Sequence, residues 1–226
     1  MSEERLSGFF SSPTGIGATV IVCCLILIMI AGVLYRKKQF SVRVSTISAM
    51  CIALSAVLSI IEPIRLPQGG STTAFSMLFI VLIGYWFGPE AGILAGVADG
   101  LLNLAINPYV IHPIQLLLDY PFAFGALGIS GLFRNFLRNN RIGKSNVKFD
   151  GLCIGYIVAA LARWFMHFMS GFVFFSTFAG DSNPVIYSAV YNFSYILPEM
   201  ILTLIVLTIP AFRNAIDAVG GDRQAA

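Results

Sequence analysis

The chain has 226 residues, of which 57% are hydrophobic and 11% charged, with a mean hydropathy of +0.83. That composition lies far outside the range of water-soluble domains and places the chain in a lipid bilayer. The net charge of +3 comes from short basic clusters, which orient membrane helices and give no support to nucleic-acid binding.

Apolar blocks fall at 15–35, 46–61, 73–87, 91–106, 114–133, 152–175 and 185–209. They predict seven membrane helices and an all-α integral membrane protein. The first block follows Glu3 and Glu4 instead of a basic region and has no small-residue cleavage site, so it reads as a retained anchor and not a signal peptide. The third and fourth blocks are shorter than the roughly 20 residues a perpendicular span needs. Such helices stop short, tilt, or are covered by their neighbours.

Basic residues cluster after the first helix (Arg36, Lys37, Lys38, Arg43) and after the fifth (Arg134, Arg138, Arg141, Lys144, Lys148), with Arg213 and Arg223 near the end. Lysine and arginine in short loops face the cytoplasm. An external N-terminus and a cytoplasmic C-terminus satisfy all three groups with seven spans, leaving Arg5 and Arg65 outside and Arg163 within a span. The expected organisation is an anchor helix at 1–40, a six-helix substrate-binding membrane domain at 41–213, and a cytoplasmic tail at 214–226. Cys23, Cys24, Cys51 and Cys153 lack metal-ligand spacing and read as small buried hydrophobes, so no metal is expected.

An ionisable side chain at mid-span costs roughly 2.5 to 3.5 kcal/mol on insertion scales and demands a partner or a purpose. Asp99, Asp119, Arg163, His167 and Glu199 are the cases here. From the helical rise, Asp119 lies about 8 Å below Ile114, Asp99 about 10 Å below Ile106, His167 about 12 Å below Phe175 and Asn192 about 10 Å below Val185. Four helices therefore bring polar groups to one layer near the outer side. Arg163 and Glu199 lie deeper and are expected to pair as a structural ion pair.

Asp119 follows Gln115 by four residues and His112 by seven, a polar stripe along one helix face. His167 is followed at helical spacing by Ser170 and Gly171, among Phe168, Phe172, Phe174 and Phe175. The last helix opens with IYSAVYNFSY, carrying Tyr187, Tyr191, Asn192 and Tyr195. An amide there offers donors and an acceptor together, suited to the edge of a heterocycle. The inferred pocket has an anionic point and aromatic walls and opens outward, which favours a small flat cation. Gly92, Gly96 and Gly100, in GILAGVADG, form a small-residue stripe for close helix approach, and Asp99 beside it is a further pocket candidate. The external loop LPQGGST, with Gln68, Gly69, Gly70 and Ser71, reads as a polar turn suited to a lid.

The ordered segments LPQGGS, HPIQLLLDY, HFMSGFVFF and IYSAVYN resemble the thiamin-specific substrate-binding subunits (S components) of energy-coupling factor transporters, over most of the chain. The resemblance implies a six-helix core, with the first helix extra to it, in the cell membrane of a prokaryote. The core captures thiamin with high affinity and delivers it together with a transmembrane coupling subunit and two ATP-binding-cassette ATPases. By the same resemblance, Asp119, Asn192 and Tyr187 contact the aminopyrimidine, and His167 packs on the thiazolium. Tyr109 and Tyr120 line the site near the thiazolium and its hydroxyethyl tail, and Phe175 stacks. Ala49 and Ala53, in AMCIA, match the element that meets the coupling subunit. Asp99 matches no family role.

Two alternatives remain at this level: an S component for another small heterocycle, such as a thiamin precursor, and a stand-alone secondary transporter. The second lacks visible helix repeats and ion sites. Intramembrane hydrolysis lacks a Gly-x-Ser-x-Gly or His-Glu-x-x-His segment, and without a Walker sequence the chain has no P-loop for ATP. No enzyme activity and no cofactor are expected.

Overall fold

The computed structural model describes residues 40–135 and 150–220. The predicted helix at 15–35, with Cys23 and Cys24, lies outside the described residues. Within them run α1 (Val42–Ser59), α2 (Ser76–Phe87), α3 (Pro89–Ile106), α4 (Pro113–Phe133), α5 (Gly151–Phe174), α6 (Pro184–Leu207) and α7 (Pro210–Gly220). A short antiparallel hairpin, β1 (Ile64–Arg65) and β2 (Ser71–Thr72), joins α1 to α2. Among the described residues five helices, α1 and α3 to α6, are long and apolar enough to cross a membrane. The chain is a multi-pass membrane protein.

Helix α2 explains why a 12-residue helix survives in this company. It is apolar on every side, and ten of its residues, Ser76 to Leu78 and Ile80 to Trp86, are buried. A helix hydrophobic all round belongs inside a bundle. Here α1, α3 and the last turn of α4 cover it. By contrast α1 buries only Val44, Cys51, Ser55 and Ser59, and Met50, Leu54 and Val57 are exposed, as expected of a lipid-facing surface.

Two sequence features set the close packing of α3. The turn from α2 passes through Gly88 at φ 101°, a conformation that disfavours any residue with a Cβ, and Pro89 starts the next helix at its first position. The glycine stripe then lies directly on the backbone of α4. A Cβ on Gly96 would sit 2.2 Å from the Phe124 carbonyl oxygen, and one on Gly100 would sit 2.5 Å from that of Tyr120. This is the small-residue contact that the spacing of GILAGVADG predicts.

Helix α4 is not regular. Pro121 has no N–H and its ring crowds the preceding turn, so the chain widens to a π turn at Leu118–Phe122, with Ala123 N–H reaching back to Leu118 O. It tightens again to 3-10 geometry at Leu127–Phe133.

One expectation is corrected. Arg163 and Glu199 do not form an ion pair. Glu199 accepts from Thr73 Oγ1 at 2.6 Å and from Met77 N at 3.0 Å, with Ser76 Oγ at 3.4 Å. The reason is local: α2 starts after Phe75 in a left-handed conformation with no side-chain cap of its own, so the Glu199 side chain from α6 satisfies the orphan Met77 N–H and meets the positive end of the helix dipole. Beyond α6 the chain forms one further helix. Pro210–Gly220 is a helix whose Arg213 is buried and paired with Asp150, the N-cap of α5. Trp86 Nε1 donates to Ile216 O at 3.2 Å, and Arg43 donates to Val219 O at 3.1 Å. Cys51 and Cys153 are free and buried.

Candidate functional site

A cavity of about 330 Å³ opens at the hairpin end of the bundle, between α3, α4, α5 and α6. It is within the range of small-molecule sites. The structure brings to its wall Asp119, His167, Asn192, Tyr187, Tyr109, Tyr120 and Phe175, together with Gln68, Gly69, Gly70 and Ser71. It does not bring Asp99, which is fully buried behind the wall, bonded to Ser55. Ala49 and Ala53 lie on α1, away from the cavity and exposed.

Asp119 sits in the π turn of α4. The widened turn carries Leu118 into an apolar cluster with Phe122 and Val173 to Phe175, and leaves the next side chain on the cavity wall. Its carboxyl group is held from three sides. Gln115 Nε2 donates to Oδ2 at 2.7 Å, Ser170 Oγ donates to the same oxygen at 2.8 Å, and His167 Nδ1 lies 3.0 Å from Oδ1.

The tautomer of His167 follows from its other neighbour. Arg163 Nε approaches His167 Nε2 at 3.4 Å, and a guanidinium only donates, so Nε2 accepts and Nδ1 carries the proton toward Asp119. The Arg163 guanidinium also lies 4.1 Å from the centre of the Phe124 ring, a cation–π contact. Three protein donors thus hold the Asp119 carboxyl group in place. Oδ1, with one donor, retains acceptor capacity on the cavity side.

Gln115 does more than touch Asp119. Its amide donates to Tyr109 O at 3.0 Å and accepts from Ile111 N at 3.0 Å, locking the loop before α4 to the same carboxylate. Tyr120 fixes that loop further, accepting from Tyr109 N at 2.8 Å and donating to Asn107 O at 3.0 Å. Tyr109 is thereby placed against Phe175, with ring centroids 6.0 Å apart and planes at 20°. On the opposite wall Tyr187 and Tyr191 stack at 6.0 Å, and Tyr195 stands edge-on to His167. Asn192 donates to Ser188 O at 2.8 Å and accepts from Tyr195 OH at 2.7 Å. These bonds orient its amide between α5 and α6.

The hairpin forms the roof. Gln68 and Gly69 both take positive φ, 61° and 86°, and a Cβ on Gly69 would meet the Tyr109 ring at 3.1 Å. Only glycine is free of penalty there. The phenol of Tyr191 grips the turn from α6: it accepts from Gly70 N at 3.0 Å and donates to Pro67 O. From the other side Glu62 accepts from Ser71 Oγ at 2.9 Å and from Asn107 Nδ2 at 3.3 Å, and pairs with Arg65 at 3.2 Å.

Arg163, Tyr191 and Glu62 also line the cavity, and sequence reading alone does not assign them to it. The four-residue spacing of Arg163 and His167 is the signal that finds the first. The partners of Tyr191 are distant in sequence, so it has no local signal, whereas Glu62 has Arg65 three residues on. Among the described residues no group of three or more His, Cys, Asp or Glu is arranged to hold a metal ion.

Fold and cavity together define a helical membrane protein with a small-molecule site roofed by a hairpin. The model of the family described as thiamine transporter protein matches residues 45–216, and the chain belongs to that family, one of transport proteins and not of enzymes. Thiamine transporter ThiT of Bacillus subtilis (strain 168) is 39% identical over 177 residues, which is 76% of this chain and 91% of that protein. Thiamine transporter ThiT of Lacticaseibacillus paracasei is 34% identical over 120 residues, 52% of this chain and 59% of that protein. A solved structure of ThiT from Listeria monocytogenes superposes with a TM-score of 0.60 at 25% identity, covering 75% of this chain and 96% of that one.

Proposed function

We propose that this protein binds thiamin as the high-affinity S component of an energy-coupling factor transporter in a prokaryotic cell membrane. The observation that carries the reading is the Asp119 carboxylate, ordered by Gln115, Ser170 and His167, on the wall of an aromatic cavity in a chain of the thiamine transporter family. Thiamin is a flat heterocyclic pair with one fixed positive charge. The carboxylate accepts from the aminopyrimidine and attracts that charge, Asn192 and Tyr187 complete the pyrimidine contacts, and the thiazolium packs on His167 between Tyr109, Tyr120 and Phe175.

Transport follows from the same arrangement. The cavity faces the outside in a chain of seven spans with an external N-terminus, and the hairpin carrying Gln68, Gly69, Gly70 and Ser71 closes over captured ligand. Ala49 and Ala53, on the exposed face of α1, meet the coupling subunit, and two partner ATPases supply the energy. The test is calorimetry on the purified full chain with thiamin, its phosphates, hydroxymethylpyrimidine and riboflavin. Thiamin binds most tightly on this reading; a preference for riboflavin, or no heat with thiamin, overturns it. Thiamin uptake in cells that lack the ATPase partners would overturn the coupling to them.

A further inference from the structure

Asp99 is a buried carboxyl group beside the cavity that neither the binding site nor a helix end uses. It is wholly buried on α3, and its Oδ1 has no hydrogen-bond partner. Its Oδ2 lies 2.7 Å from Ser55 Oγ, and the same hydroxyl oxygen lies 2.9 Å from the carbonyl oxygen of Ser76. A hydroxyl carries a single proton. Were Asp99 ionised, that one proton would have to serve two acceptors, and a buried anion would be left with one bare oxygen.

A neutral acid removes both conflicts. Oδ2–H donates to Ser55, Ser55 donates to Ser76 O, and the remaining Oδ1 is a carbonyl oxygen, far less costly to bury than half of a carboxylate. Arg163, on α5, spends its Nε on His167 and its face on Phe124. The other two acids have what Asp99 lacks. Asp119 and Glu199 each receive donors on both oxygens, from Gln115, Ser170 and His167 in one case and from Thr73 and Met77 N in the other.

We propose that Asp99 is a protonated, hydrogen-bond-donating acid that adds no charge behind the cavity wall, where Asp119 and Arg163 are the interior charged groups. Inside the cavity the lining sets one acid, Asp119, against one base, Arg163, and at the rim Glu62 and Arg65 offset each other. A monovalent organic cation is thus met by Asp119 and not by a second buried anion. An ionised Asp99 would add a second negative charge behind the wall and favour a more highly charged ligand. This inference rests on the thiamin reading for the ligand's identity, but the protonation of Asp99 stands on geometry alone.

The experiment is infrared difference spectroscopy on the ligand-free full chain at neutral pH, unlabelled and with 13C-aspartate, on wild type and Asp99→Asn. A protonated-carboxyl C=O band that shifts with the label and vanishes in the variant is expected. Calorimetry with thiamin on the same variant is expected to stay within about threefold of wild type, because no charge is removed, whereas Asp119→Asn loses about tenfold or more. Absence of a label-sensitive protonated band in wild type overturns the proposal, as does a tenfold loss of affinity in Asp99→Asn. Should that variant fail to fold, the labelled wild-type spectrum decides by itself. A wild type that shows the band but binds no thiamin would defeat the ligand reading and leave the protonation intact.

Discussion

Asp119 and Glu199 are both carboxylates inside the bundle, and both are held by three contacts from other residues, yet they serve different ends. Glu199 is 3% exposed, and its donors belong to the start of α2, which has no cap of its own. Asp119 has a side chain 17% exposed, and its donors belong to the cavity wall. In one case the carboxylate completes the protein. In the other the protein prepares the carboxylate and leaves one oxygen with room for a further donor. The difference separates architecture from function more cleanly than depth or charge does, and it is open to direct attack.

The largest effect is expected from Glu199→Leu. It leaves the Met77 N–H without its acceptor and the Thr73 and Ser76 hydroxyls with only each other, and each buried donor so abandoned costs about 1 to 3 kcal/mol. A loss of roughly 3 kcal/mol or more is expected, read as a marked drop in thermal stability in detergent, with Glu199→Gln recovering part of it because its amide oxygen still accepts. Equal stability of the leucine variant would mean that the cap is incidental.

Gly96→Ala attacks the scaffold that positions Asp119 instead of Asp119 itself. The added methyl would stand 2.2 Å from the Phe124 carbonyl, backbone that cannot step aside without moving α4. Overpacking of this kind costs about 1 to 3 kcal/mol, and here the displaced helix carries the site. Both melting temperature and thiamin affinity are expected to fall, whereas an effect on stability alone would show that the site tolerates movement of α4.

Asp119→Asn sharpens the contrast with Glu199. The substitution keeps the shape but turns one acceptor into a donor facing Gln115, Ser170 or His167, and removes the charge. Thiamin affinity is expected to fall at least tenfold, about 1.4 kcal/mol, with the melting temperature of the free protein little changed. Unchanged affinity would remove Asp119 from the binding reaction.

How far this contrast was legible beforehand depends on which coordinate the sequence encodes. Hydropathy places a residue along the membrane normal, and six predicted helix blocks coincide with described helices to within a few residues at most ends. Periodicity adds which residues share a face, which is why Gln115 with Asp119, and Ser170 with His167, could be grouped in advance. Azimuth between helices is not encoded in this way. Arg163 and Glu199 have opposite charges and similar depth, but their side chains take up different neighbours, because an uncapped helix end draws the carboxylate and a ring and an imidazole draw the guanidinium. The π turn at Pro121 had a visible cause, a proline inside an apolar helix, but not a visible outcome. The helix Pro210–Gly220 was readable from Phe212, Ile216 and Val219 at helical spacing, a signal masked by its short length and by the basic residues that mark a cytoplasmic end.

The smallest effect concerns the roof, where the contrast between completing the protein and preparing a site meets in one hydroxyl. Tyr191 OH accepts from Gly70 N and donates to Pro67 O, so Tyr191→Phe removes both bonds while keeping the stack on Tyr187 at 6.0 Å. Glu62 still holds the hairpin from the α3 side through Ser71 and Asn107, so the roof is loosened and not lost. A net hydrogen bond is worth about 1 kcal/mol, roughly a fivefold change in an equilibrium. Faster amide exchange at Gly70 and a severalfold faster release of thiamin are expected, with the melting temperature of the free protein nearly unchanged because the hairpin packs little of the core. If exchange at Gly70 rises and thiamin release does not, the hairpin is a fixed rim, and entry to the cavity runs elsewhere along the mouth lined by Ile60, Arg65 and Ile106.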